Sequence, residues 1–145
     1  MTKTRPIAGM TCNSSGKLPK KITSKGVKMI EVPAFDVPNT PLFVHHRYEG
    51  EEDTDQVAAY NVSHKWTGYA VLACGNVPKK KAIAAASAFF SNLPKEFQEL
   101  LNDTSMSDPI KLQSTIDELL NESRNKVSIK SQVAIARMHA SAALK

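Results

Sequence analysis

Cysteine is scarce in this sequence: Cys12 sits in a polar stretch, Cys74 ends an apolar run, and the pair makes neither a disulfide framework nor a complete zinc site. Both are read as free thiols of a reducing compartment. Long apolar runs are missing too. Nothing approaches the roughly 18–20 residues that span a bilayer, and residues 1–25 hold no apolar segment of a signal peptide. We therefore expect a cytoplasmic protein that does not enter membranes. The glycine patterns of P-loops and dinucleotide folds are absent, and no Cys-x-x-Cys or His-x-x-x-His pair completes a set of metal ligands. No cofactor and no metal are expected.

Acidic residues are missing from one region in particular. Residues 1–30 hold seven bases (Lys3, Arg5, Lys17, Lys20, Lys21, Lys25 and Lys28) and no acid. Residues 31–78 reverse the sign with seven acids against two bases, and residues 79–145 carry ten bases against seven acids. The net charge of +5 hides this segregation. A basic leading segment calls either for an anionic partner or for nothing more than solvation.

The length of 145 residues, with 41% hydrophobic and 23% charged residues, fits one ordinary domain with its own core. Residues 1–26 are polar, with scattered apolar positions that cannot repay ordering on their own. They are expected to form a flexible basic arm preceding a single α+β domain at 27–145. Alternation from Val27 to Pro33 predicts a short first strand, and Pro38 and Pro41 bracket a turn. Residues 42–48 have strand composition, and the acidic segment 49–55 reads as a hairpin loop. Residues 57–64 and 69–74 are expected to pair across a turn at Gly68.

Pro78 then opens a helix over 79–90, for which Ile83, Ala86 and Phe90 are the expected inward stripe, with small alanines between them allowing close approach to the sheet and Phe89 widening the contact. A second helix is expected from Pro94 to Leu101. A third is capped by Asp108 and begun by Pro109, with Ile110, Ile116, Leu119 and Leu120 on its apolar side. A fourth begins near Ser128, with Ile129, Val133, Ala136, Ala140 and Ala143 on one stripe, free to pack inside or dock outside. Strands before helices give an α+β class: an antiparallel three- to four-stranded meander covered by an Ala-rich helix, with additional C-terminal helices.

The sharpest chemical feature is the run Gly75-Asn76-Val77-Pro78-Lys79-Lys80-Lys81-Ala82, which places three ammonium groups where a helix starts with free amides. The bland alternative is a solvated helix edge. Residues 69–93 resemble the closing half of double-stranded RNA-binding domains, in which a strand leads through lysines into an alanine-rich helix. That resemblance implies that Lys79, Lys80 and Lys81 approach phosphates. The family's opening helix has no counterpart here and its glycines are reduced to Gly75, so membership is not assigned. Tyr48, Tyr60, Trp66 and Tyr69 are candidate base-stacking residues, more simply read as core.

For metal binding, the candidates are His45, His46, His64 and Cys74. Neighbouring strand residues point oppositely, so His45 and His46 do not chelate from one face. For catalysis, Cys74 with His64 is the one nucleophile and base pair, and it lacks an oxyanion hole or an orienting carboxylate. No enzyme is expected. Two functional classes remain. The first is a nucleic-acid-binding accessory protein using Lys20, Lys21, Lys25, Lys79, Lys80 and Lys81 on DNA or RNA. The second is an interaction or assembly protein, of a mobile element or virus, that binds a protein partner or homodimerises through its C-terminal amphipathic helices.

Overall fold

The computed structural model describes residues 4–9, 28–49, 55–121 and 126–145. At the head of the chain, β1 (Thr4–Gly9) pairs antiparallel with β2 (Lys28–Pro33), placing Ile7 opposite Ile30. This corrects the expectation that all of residues 1–26 form an unpaired arm. Composition alone does not hold β1 in place; long-range contacts do. Ile7 is buried with Val32, Ala34 and Phe43, and Arg5 forks onto the Asp36 carboxylate through Nε at 2.8 Å and Nη2 at 2.9 Å. That paired hydrogen bonding raises the guanidinium pKa above its ordinary value. Lys20, Lys21 and Lys25 lie outside the described residues.

The main sheet runs in the order β3 (Phe35–Asp36), β4 (Leu42–Glu49), β5 (Asp55–His64) and β6 (Ala70–Gly75), all antiparallel. Between β3 and β4 the Val37 amide donates to the Leu42 carbonyl, and Asn39 takes the positive φ of 63° that asparagine tolerates. Leu42 faces His64 and Val44 faces Val62 across the β4–β5 ladder, while Glu49 faces Asp55. The connecting acidic residues 50–54 lie outside the described residues. Gly68 adopts a φ of 72° in the expected β5–β6 turn, with its amide donating to the His64 carbonyl.

Period two gives the sheet two different faces. Leu42, Val44 and Val62 belong to the main core with the helices, whereas Phe43 points to the other side against Ile7, Val32 and Ala34 of the β1–β2 region. The helices follow as α1 (Lys79–Ser91), α2 (Lys95–Asn102), α3 (Pro109–Asn121) and α4 (Lys126–Ala143). Three of them begin after the signals their sequence carries. Pro78 and Pro94 precede α1 and α2, and the Asp108 carboxylate accepts from the Ile110 amide at 2.9 Å to cap α3.

The buried stripe of α1 is Ala82, Ala85, Ala86, Phe89 and Phe90, with Ile83 only half-buried. Ala86 and Phe90 fall where the expected stripe puts them, and only Ile83 departs from it. α1 packs against both the sheet and α4, and close packing on two sides selects the alanines over the bulkier Ile83. α4 docks inside rather than standing apart, because Ala136 and Ala140 are fully enclosed. Leu112 of α3, outside the expected stripe, is completely buried. No helix among the described residues is long and apolar enough to cross a membrane.

Candidate functional site

The amino end of α1 gathers the three lysines that the sequence singles out. The first turn contains no acid, and Pro78, in extended conformation, offers no side-chain cap. The Lys81 and Ala82 amides donate to the Pro78 carbonyl at 2.9 and 3.1 Å. The amides of Lys79 and Lys80, one position earlier, have no acceptor inside the helix. All three lysines are exposed.

Adjacent sequence positions are nevertheless about 100° apart around a helix, so the ammonium groups fan out rather than converge. Lys79 turns back onto the sheet, with Nζ 4.1 Å from the centre of the Phe35 ring. A cation over an aromatic face holds that ammonium while leaving it accessible. Lys80 and Lys81 project onto other sides of the helix.

The candidate stacking aromatics are occupied differently. Tyr60 stacks on His46 at 4.3 Å, Tyr69 packs against the main core, and Trp66 stands edge-on to His64 at 5.3 Å. They do not form an aligned platform on one open face. The Tyr48 side chain lies outside what is described.

His64 and Cys74 do not form a reactive pair. The β5–β6 register puts Cys74 beside Asn61 and Tyr60, three to four strand positions from His64, roughly 10–13 Å along the strand. His64 is fully buried, and a carbonyl only accepts, so its Nε2–H donates to the Leu101 carbonyl at 2.7 Å. Its Nδ1 then accepts from the Thr67 hydroxyl at 2.9 Å, and that hydroxyl accepts from the Tyr69 amide. Burial lowers the His64 pKa and pushes the Cys74 thiol up to about 11, which keeps both neutral. The imidazole serves as a fixed tie between β5, the turn after it and the end of α2.

A second buried histidine was not singled out as a structural element by its sequence context. His45 on the opposite face is 3% exposed; its Nδ1–H donates to the His46 carbonyl at 2.7 Å, and its Nε2 accepts from the Ser63 hydroxyl at 2.8 Å. Burial pushes its pKa down to about 4. The Ser63–His45 pair has the elements of a nucleophile and base but is closed to solvent. Its sequence signal was slight, because β4 and β5 also carry His46, Arg47, Gln56, Asn61 and His64, and His45 and Ser63 do not stand out among them. Because His45 and His64 point to opposite faces, they cannot share a metal. Among the described residues no three His, Cys, Asp or Glu side chains gather.

No family model, no curated protein and no solved structure matches this chain.

Proposed function

We propose that this protein is a non-catalytic nucleic-acid-binding accessory protein. The amino end of α1, together with the basic residues of the leading segment, would neutralise phosphates with little base specificity. One observation supports this above the others: three exposed lysines occupy an acid-free, uncapped first turn. Cations there oppose the helix dipole by about 0.3–1 kcal/mol each at low salt, and a bound phosphate would reverse that penalty.

The test is fluorescence anisotropy of labelled single- and double-stranded DNA and RNA across a salt series. Binding governed by phosphates gives log K falling linearly with log salt, with a slope of about −0.9 per neutralised phosphate on duplex DNA. Absent or salt-insensitive binding rejects the reading.

A second reading, an interaction or assembly protein, is favoured by α4. Its outward side leaves Ile135 48% and Met138 70% exposed. Deleting α3 and α4 would not test this cleanly, because Leu112, Ala136 and Ala140 belong to the core. Ile135→Ser with Met138→Ser removes the outward apolar groups alone. Loss of self-association or of a protein partner in that variant, with nucleic-acid binding intact, would favour this second class.

A further inference from the structure

We propose that the cleft where β6 meets the end of α1 and the three later helices binds a small amphipathic carboxylate. Phe89, Phe97, Ile116 and Val133 are among its apolar walls, and Arg137 is the only charged lining residue among the described residues. Its volume of about 120 Å³ is a little below the roughly 150 Å³ of an engineered cavity that takes up benzene, so it suits one small ring or a chain of a few carbons.

The polar groups at this cleft select the head group. Arg137 lays its guanidinium 5.7 Å from the centre of the Phe89 ring, with the side chain lining the cleft. Tyr69 adds a phenol from the residue just before β6. Burial raises the pKa of that phenol, the Asp117 carboxylate raises it further, and Arg137 opposes them, so both charges act on the same hydroxyl. The guanidinium and phenol are hydrogen-bond donors, which favours an acceptor with negative charge. Asp117 works against such a ligand and gives the proposal a second handle. An amine would meet the like charge of Arg137 in the cleft lining, with its counter-charge Asp117 outside that lining, and an alcohol would forgo the ionic hydrogen bond.

The site is independent of the lysines at the other end of α1. Calorimetric titration of the full chain with hexanoate, hexan-1-ol and hexylamine tests it. Hexanoate should bind about tenfold more tightly than hexan-1-ol, with hexylamine weakest. Arg137→Gln, at an exposed position, should erase the preference for hexanoate, and Asp117→Asn should tighten hexanoate severalfold. Val133→Trp should fill the cleft and abolish uptake of all three. Equal binding of the three probes, no binding at millimolar concentration, or a preference that survives Arg137→Gln would overturn the proposal.

Discussion

The two ends of α1 are built on opposite principles. At the carboxyl end the chain closes every option: Asn92 donates from its side chain to the Ala88 carbonyl at 2.7 Å, and Gln98 of α2 reaches back to the Phe90 and Leu93 carbonyls at 2.9 and 3.2 Å. Phe89, Phe90 and Leu93 are buried beside these bonds. At the amino end there is no side-chain cap and no acid, and apart from the buried Ala82 the first turn carries exposed lysines placed against the helix dipole. The difference separates what holds the fold together from what is left to meet a partner. A helix stable enough at one end can carry an unfavourable arrangement at the other.

The largest effect should come from breaking the closed end. Phe89→Ala removes a ring packed between the cleft and the Arg137 guanidinium, and should destabilise the protein by about 3–5 kcal/mol in urea unfolding. An effect below about 1 kcal/mol would mean that this end is not the anchor.

Acid is the next lever, and it acts on the two buried histidines, His45 of β4 and His64 of β5. The His45 imidazole titrates near 4 in the fold against about 6.5 in an unfolded chain, so the unfolded chain takes up the proton first. The stability this residue contributes is complete above pH 6.5 and is lost as pH falls toward 4, amounting to about 3 kcal/mol. His64, also shifted downward by burial, adds a loss of the same sign and loosens the tie between β5 and α2. Urea midpoints at pH 7 and pH 4.5 measure this directly. A midpoint that stays constant would mean that the imidazoles are charged in the folded protein.

The smallest effect has the opposite sign and sharpens the comparison most. Lys80→Gln and Lys81→Gln should each stabilise the fold, by about 0.3–1 kcal/mol at low salt, as a rise in thermal midpoint that fades with added salt. Lys79→Gln should gain less, because it also gives up the contact with the Phe35 ring.

Much of this frame could be read from local signals. Pro78, Pro94 and the Asp108-Pro109 pair mark helix starts within a residue, strand composition marks β4 and period two marks β5, because capping, composition and period are properties of neighbouring residues. β1 was not legible. Its pairing with β2 joins positions from Gly9 and Lys28 out to Thr4 and Pro33, and the Arg5–Asp36 fork spans 31 residues, separations that no local composition encodes. On α1 the inward stripe was legible at Ala86 and Phe90 and missed at Ile83, because the packing of α4 beside the sheet is a tertiary matter that no local pattern shows.

The candidate site divides in the same way. The exposure of Lys79, Lys80 and Lys81 and their place at a helix start follow from the sequence, but their divergence and the seating of Lys79 on Phe35 depend on helix geometry and on where β3 lies. The inertness of Cys74 and His64 also needed the register and the Leu101 carbonyl, neither visible in a list of residues.

Replacing Lys79, Lys80 and Lys81 together by glutamine and following duplex binding through a salt series puts the division of α1 under the most direct strain. Weakened affinity, a salt slope shallower by up to about 3 units, and a fold at least as stable as before are the predicted result. Unchanged affinity and slope in a folded variant would contradict the account.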